Sequence, residues 1–182
     1  YTAFWFCYNK KKEKAILQKY YDSFLKNEKF WIKFRKHGEL FHYSCSPLSN
    51  EQEWRRHCAL ESGWDTSVRW DKGAWKMCAV DLNCYMVQAY DVLNKMATEL
   101  NKSDDAAEWL LKKEKLINAI NTTLWNDKLK FYCDCDYELN TVSDVLSPAG
   151  FMPLYVKICD KSRAEYLKSH AESTAEFFPL MP

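Results

Sequence analysis

Apolar residues recur at helical spacing along most of the chain. From Lys11 to Lys36 they form a broad stripe of period 3.6, which ends at Gly38. A second long helix is predicted from Asp81 to Leu100. A third should run from Ser103 to about Trp125, with the side chains of Ser103, Asp104 and Asp105 capping its first amides. Because few polar residues join the last two, they should be antiparallel neighbours.

Two stretches interrupt this helical pattern. Residues 39–60 contain Pro47, Ser49 and Asn50, which predicts mostly loop with one short turn at 50–58. Leu129–Tyr137 alternates between apolar and polar positions, which predicts a short β-hairpin excursion near 129–145.

The last part of the chain returns to helical spacing. Helices are predicted over Ala149–Cys159 and Lys161–Thr174, the second with Asp160 as N-cap. The pattern therefore gives five or six helices and very little sheet, an all-α fold. No long Gly-Pro linker divides the helices, so residues 1–182 are interpreted as one domain.

Composition narrows the classes of function. A chain of 182 residues that is 47% hydrophobic and 16% aromatic can form a core and is not a disordered tail. A formal net charge of +1 gives no reason to expect nucleic acid or an anionic membrane as a partner. The basic and aromatic run Phe4–Tyr43 is also typical of single-strand nucleic-acid binding, but its helical spacing favours a core face. The longest apolar runs of the chain, such as Ala3–Tyr8, are too short to span a bilayer.

Eight cysteines are spaced irregularly, and several lie in apolar stretches, as Cys78 and Cys84 do. They are interpreted as buried small hydrophobic residues of a reduced protein, which slightly favours the cytoplasm while localisation stays open. Cys133 and Cys135 should pack on one face of a strand. With no signal peptide or initiating methionine to read, the chain is expected to be an internal piece of a longer product.

Histidines and cysteines between residues 37 and 58 are candidate ligands of a zinc site. The group comprises His37, His42, Cys45, His57 and Cys58. Their spacing matches no recognised ligand pattern, so no metal is expected.

The segment Glu61–Asp71, ESGWDTSVRWD, concentrates the candidate chemistry. Carbohydrates offer an apolar face that stacks on an indole and hydroxyls that bind carboxylates and guanidinium groups, and this segment supplies all three. Glycoside hydrolysis also needs a carboxylic acid beside the leaving oxygen. The alternative is an ordinary surface loop, in which charged residues such as Arg69 and Asp71 form a solvated pair.

The same string resembles the acid-bearing loop of the helical-toroid glycosidases, which include trehalases and glycoside hydrolase family 63 with its mannosylglycerate hydrolases. Nine positions match, and further similar strings follow in order: AVDLN at 79–83, TLWND at 123–127, FYCDCD at 131–136 and FMPLYV at 151–156. The tryptophan before Asp65 and the VDLN string are trehalase-like, whereas the short gap between Asp71 and Asp81 is more like family 63.

What the resemblance implies is an inverting glycosidase that acts on an α-linked glucoside or mannoside, in an oligosaccharide or a small glycoside, without a cofactor. This chain would be roughly half of an (α/α)6 barrel, and the remainder of its own polypeptide would close the toroid. Asp65 would be the general acid, with its pKa raised by burial between Trp64 and the sugar and by a nearby carboxylate such as Glu61. The general base would be a glutamate beyond residue 182, so this chain alone should be inactive.

The other loop residues have two interpretations each. The substrate-binding candidates are Glu61, Trp64, Arg69, Trp70 and Asp71. The tryptophans are either stacking platforms or core residues, and Glu61 either binds a hydroxyl or holds the loop. Arg69 should contact substrate hydroxyls or Asp71, or else lock the loop through backbone carbonyls.

Asp81 and Asn83 are explained nearly as well by helix capping as by function. At the level of the whole protein, the alternative is a non-catalytic helical scaffold or carbohydrate-binding relative.

Overall fold

Helices dominate the fold. The computed structural model describes residues 1–43, 50–71 and 76–177. Within these residues the helices are α1 (Thr2–Lys11), α2 (Lys14–Arg35), α3 (Glu51–Ser62), α4 (Val80–Glu99), α5 (Ser103–Thr123), α6 (Met152–Tyr155) and α7 (Lys161–Glu172). Two 3-10 helices, Val68–Trp70 and Pro148–Phe151, interrupt the connections. The predicted all-α class is confirmed.

Helix α4 is the centre of the molecule, and α5 is its main neighbour. The turn between them folds α5 back along α4, so that Asn94 donates to the carbonyl of Ala106 (2.8 Å) and Lys113 pairs with Asp91 (2.6 Å). Apolar side chains of both helices are fully buried, among them Leu93 of α4 and Leu116 of α5. The predicted antiparallel pair is therefore confirmed.

Strands are two residues long and all antiparallel. Strands β1 (Lys36–His37) and β2 (Leu40–Phe41) form one hairpin, and β4 (Trp125–Asn126) and β5 (Phe131–Tyr132) form another. Strand β6 (Cys135–Asp136) lies between β3 (Met77–Cys78) and β7 (Thr141–Val142). The predicted β-hairpin excursion near 129–145 is thus confirmed. Its strands β5, β6 and β7 belong to two separate sheets.

Several predicted boundaries are right. Helix α2 ends three residues before Gly38, and α4 lies within one residue of the predicted Asp81–Leu100. Asp160 caps α7 by accepting a hydrogen bond from the amide of Arg163 (2.8 Å). The periodicity of these helices is regular enough to fix their limits.

Other predictions are wrong. Of the predicted loop 39–60, residues 44–49 lie outside the described residues. Residues 51–62 form the regular helix α3 rather than loop with a short turn, because Asn50 caps it and Gly63 ends it. Ser103 is the first residue of α5 and makes no capping bond. The predicted helix Ala149–Cys159 is only the 3-10 turn Pro148–Phe151 followed by one turn of α6. Helix α1 was not predicted.

Large apolar side chains remain exposed on helix faces. Phe6 of α1 is 63% exposed, Phe30 and Phe34 of α2 are 41% and 44% exposed, and Tyr155 of α6 is 67% exposed. These faces lack a covering layer within the described residues. None of the helices in the described ranges combines the length and apolarity that crossing a membrane requires.

Candidate active site

Helix α3 delivers the chain to the candidate loop. The Asn50 side chain accepts from the amide of Glu53 (2.9 Å) and starts the helix. Gly63 ends it with φ +75°, and its amide bonds to the carbonyl of Ala59 (3.0 Å). Only a residue without a β-carbon adopts this left-handed geometry at little cost. The glycine of the motif therefore turns the chain out of the helix directly before Trp64.

The loop Trp64–Trp70 closes on itself. The carbonyl of Trp64 accepts from the amide of Ser67 (3.2 Å) and from the indole nitrogen of Trp70 (3.1 Å). Ser67 then caps the following 3-10 helix by accepting from the amide of Arg69 (3.3 Å). These bonds span Asp65 and Thr66, so the backbone that carries the Asp65 carboxyl has few conformations available.

Asp65 lies outside helix and strand, and it lines two adjoining cavities. One, of about 420 Å³, is formed with α3 residues that include Gln52, Arg55 and Arg56. The other, of about 470 Å³, is shared with Val68 and with the segment Leu146–Pro148. The Asp65 side chain is exposed within the described residues, so this part of the chain does not by itself supply the predicted burial. The indole of Trp64 bonds elsewhere and does not cover it.

Arg69 is held between two carboxylates. Its Nη1 and Nη2 donate to both oxygens of Asp81 (3.2 and 3.0 Å), and its Nε and Nη2 donate to both oxygens of Asp134 (2.8 and 2.7 Å). The three side chains are at most 6% exposed. Bidentate pairing of this kind fixes the guanidinium plane and is stronger than a single neutral hydrogen bond. Arg69 is thus a buried ionic junction.

Charge in this junction is compensated by further donors. Burial alone would lower the pKa of Arg69, but Asp134 and Asp81 outweigh it and raise that pKa above its ordinary value. Two carboxylates face one guanidinium, and the excess negative charge receives two more N–H groups. Trp64 Nε1 donates to Asp81 (2.9 Å), and the amide of Val80 donates to Asp134 (2.9 Å). The N-terminus of α4, where Val80 and Asp81 lie, favours negative charge as well.

The two tryptophans of the loop differ. Trp70 is 1% exposed and packs edge-on against Tyr43. It is therefore a core residue, and its ring is not accessible to a sugar. Trp64 is half-buried, with its ring beside the Arg69 guanidinium and its nitrogen bound to Asp81. Of the predicted stacking pair, only Trp64 keeps part of its surface accessible beside Asp65.

The predicted partners of the remaining charges require correction. Asp71 pairs with Arg55 (2.7 Å), and not with Arg69. Arg69 binds the carboxylates of Asp81 and Asp134, which take four of its five N–H donors, instead of Asp71 or backbone carbonyls. Glu61 pairs with Arg35 (3.0 Å) and so joins the end of α3 to the end of α2, which is the loop-holding alternative.

Helix capping does not explain Asp81 or Asn83. Ala79 is the N-cap of α4 and makes no side-chain capping bond, and the amide of Val80 is bonded to Asp134 instead. Asp81 binds Arg69 and Trp64, whereas Asn83 accepts from the amide of Phe41 (2.8 Å) and donates to its carbonyl (2.9 Å). Asp134 was missed as a site residue, although it lies in the string FYCDCD. No local signal points to its partner, 65 positions earlier.

The zinc alternative receives no support from the described residues. Within residues 1–43, 50–71 and 76–177, no three His, Cys, Asp or Glu side chains are grouped as a metal ion would need. Cys45, one of the five candidates, lies outside the described residues. Cys133 and Cys135 are each 2% exposed and pack in the core as free thiols.

The comparisons with known proteins place this helical layer among the helical-toroid glycosidases. The family model "Mannosylglycerate hydrolase MGH1-like glycoside hydrolase domain" matches residues 1–181, and the chain belongs to this family. Among curated proteins, the periplasmic trehalase of Salmonella newport (strain SL254) is 29% identical over 123 residues, which are 63% of this chain and 22% of the trehalase. The chain therefore spans about a fifth of the length of the trehalases it matches.

Solved structures agree on the fold. The mannosylglycerate hydrolase of Thermus thermophilus, in complex with glucose, has a TM-score of 0.62 at 21% identity, over 87% of this chain and 45% of that enzyme. The neutral trehalase of Saccharomyces cerevisiae has a TM-score of 0.57 at 18% identity, over 63% of this chain and 22% of the trehalase. A sialidase reaches 0.73 at 13% identity, over 89% of this chain and 14% of its own. The predicted partial (α/α)6 toroid is confirmed.

Proposed function

We propose that this chain carries the general acid of an inverting glycosidase that acts on α-linked glucosides or mannosides, and that Asp65 is that acid. One observation carries the proposal. Glu61, Asp71 and Asp81 are each paired with an arginine, whereas Asp65 has no hydrogen-bond or ion-pair partner within the described residues. A proton donor has to reach the glycosidic oxygen, and a carboxyl already bound to a guanidinium is poorly suited to that task.

A complete reaction needs a second carboxylate. Inverting enzymes hold the acid and the base roughly 6.5–9.5 Å apart, so that a water molecule fits on the opposite face of the sugar. No side chain of residues 1–182 is proposed for this base. We assign it to the remainder of the toroid, in keeping with the 45% of the Thermus mannosylglycerate hydrolase that the chain covers. Trp64 remains a proposed contact for the sugar ring.

We propose that Arg56 binds a negatively charged leaving group in the cavity between Asp65 and α3, which Glu53 also lines. Arg56 lines this cavity and has no ion-pair partner within the described residues, whereas Arg55 is bound to Asp71. Of the substrates named for the relatives, trehalose is neutral and mannosylglycerate carries a carboxylate on its leaving group. A guanidinium binds such a carboxylate through two parallel hydrogen bonds. We therefore propose a carboxylate-bearing glycoside in preference to a neutral disaccharide.

The acid assignment is tested by Asp65→Asn in the full-length protein. Hydrolysis of glycosides with poor leaving groups should fall by roughly 10²–10⁴-fold, because their departure needs a proton, while activated aryl glycosides should keep much of their rate. Asp22→Asn is the matched control, since Asp22 is an exposed aspartate on α2. Equal losses of binding and turnover on all substrates would make Asp65 a binding residue and overturn its assignment.

The substrate class is tested by Arg56→Gln. KM for mannosylglycerate should rise about 10- to 100-fold, the amount expected for a lost charged hydrogen bond, and KM for trehalose should stay the same. Arg56→Lys should recover part of the affinity, and Lys29→Gln, which removes an exposed charge of α2, should have no effect. If both substrates lose affinity equally, the anionic class is wrong.

The scaffold alternative has a separate test. A non-catalytic relative would bind sugars without turnover in the full-length protein, whatever the leaving group. Asp65 is unpaired in the described part of the chain, and a buried junction holds its loop. This combination favours the enzyme, because a scaffold has no need of a projecting acid. Anomer-resolved NMR of the products would also establish whether configuration inverts.

A further inference from the structure

Two residues that flank Asp65 are bonded to the same carboxylate. Trp64, directly before it, donates from Nε1 to Oδ2 of Asp81 (2.9 Å). Arg69, four positions after it, donates from Nη1 to that same oxygen (3.2 Å) and from Nη2 to Oδ1 (3.0 Å). Asp81 is fully buried in the first turn of α4, the central helix of the fold. Hydrogen bonds to the same buried carboxylate of Asp81 therefore hold the loop on both sides of Asp65.

Asp134 fixes the guanidinium from a second direction. Its carboxylate binds Arg69 Nε and Nη2 and also accepts from the amide of Val80 (2.9 Å), so it joins the loop to the start of α4. It lies directly before β6, which pairs with β3, the strand just upstream of α4. Three separate parts of the chain meet at Arg69, which can neither rotate nor shift without breaking bidentate bonds.

We propose that Asp81 and Asp134 are positioning residues, which act through Arg69 and Trp64 to hold the Asp65 carboxyl in place for proton transfer. The inference rests on the proposed role of Asp65. A side chain that donates a proton must lie within hydrogen-bond reach of the glycosidic oxygen, and displacement by about 1 Å costs on the order of 10²-fold in rate. Asp65 makes no bond of its own within the described residues, so its position depends on the loop.

Two buried carboxylates at Arg69 are more than is needed to attach a surface loop to the core. One carboxylate would neutralise Arg69, and burying a second requires the additional N–H groups that Trp64 and Val80 supply. The result is a planar group fixed by four hydrogen bonds, in the part of the chain that carries the proposed acid. Such a fixed support is what precise placement of a catalytic group needs.

The test uses Asp134→Asn in the full-length protein, with kcat and KM measured on a poor and an activated leaving group. Asparagine keeps one acceptor oxygen but presents an amide to the guanidinium, so the junction loosens. We expect kcat for the poor leaving group to fall about 10- to 10³-fold with little change in KM, and the activated substrate to lose much less. In a background of Asp65→Asn the same substitution should cause almost no further loss, because it acts through the acid.

Controls separate this effect from a loss of stability. Glu28→Gln removes another buried carboxylate, 2% exposed and paired with Lys112 (3.1 Å), at a distance from the loop. It should lower Tm without changing the dependence on the leaving group. If Asp134→Asn does not fold, Asp134→Glu and Arg69→Lys, which keep the charges but not the bidentate geometry, take its place.

The outcomes distinguish the two proposals. Full activity of Asp134→Asn beside an impaired Asp65→Asn would overturn the positioning role alone. Equal losses on both leaving groups, in step with Tm as for Glu28→Gln, would reduce the junction to a structural element and overturn it too. Full activity of Asp65→Asn would overturn the proposed function itself.

Discussion

Gly150 lies directly against the ring of Phe131, with no room between them for a side chain. A β-carbon at position 150 would collide with that ring and with the carbonyl oxygen of Tyr132. Both neighbours are fully buried, so neither can move aside. The 3-10 turn Pro148–Phe151 therefore approaches β5 as closely as it does because this position is glycine.

Gly150→Ala should lower the free energy of unfolding by about 3 kcal/mol or more, since overpacking a rigid core strains its neighbours. Gly38→Ala is the control. Gly38 has φ +56° and open space around it, so the cost there should be about 1 kcal/mol from backbone strain alone. Urea denaturation of both variants measures the difference. Equal losses would show that the 148–151 turn moves away from β5 and accepts the methyl group.

Asn83 ties α4 to β2 through both its amide groups. Asn83→Ala leaves the amide and carbonyl of Phe41 without these bonds, and each unsatisfied group should cost about 1–3 kcal/mol. Asn83→Asp should be more damaging at neutral pH, because a carboxylate would then face the carbonyls of Phe41 and Ala79. Thermal melts would rank them, with exposed Asn118→Ala close to wild type. An Asp variant as stable as wild type would exclude the assigned amide orientation.

Stability should decline in mild alkali. Burial raises the pKa of Cys135 from 9.0 to about 11 and that of Tyr132 from 10.0 to about 12. Between the unfolded and folded values the unfolded chain has lost protons that the folded chain keeps, so unfolding becomes more favourable as pH rises. The contribution of the protonated Cys135 thiol to the free energy of unfolding is fully present below pH 9 and is lost as pH rises towards 11.

Urea titrations from about pH 8 to about pH 11, with a reducing agent present, measure this decline. Cys135→Ser removes one titrating thiol, so the slope of unfolding free energy against pH should be shallower than in wild type. The comparison concerns the slope and not the absolute stability, which serine at a buried site also changes. A slope identical to wild type would mean that Cys135 titrates alike in both states.

How much of this architecture can be predicted from the sequence depends on the range of the interactions. Helices α2, α4, α5 and α7 are set by periodic apolar faces, and the Asp160 cap by a bond across three residues, so local pattern suffices. Helix α3 was missed because few of its positions are apolar. Its start was nevertheless readable, since an Asn three residues before a Glu is typical of a helix N-terminus.

The site divides in the same way. The motif predicted a loop at Asp65, because the turn chemistry of Gly63 is local, but it left two roles open for Glu61. The partners of Arg69 lie 12 and 65 positions away, and only the packed fold brings them together. The bond from the Trp64 indole to Asp81 spans 17 positions and was likewise not predicted from the sequence.

The junction at Arg69 also dictates an order of events during biosynthesis. A chain growing from its N-terminus has Trp64, Arg69 and Asp81 available early, but it lacks the second carboxylate until Asp134 has left the ribosome. Until then the guanidinium has one bidentate partner, and the surrounding backbone keeps more freedom. The loop Trp64–Trp70 therefore reaches its final, fully bonded form only after α4, α5 and the strands that follow them have been made.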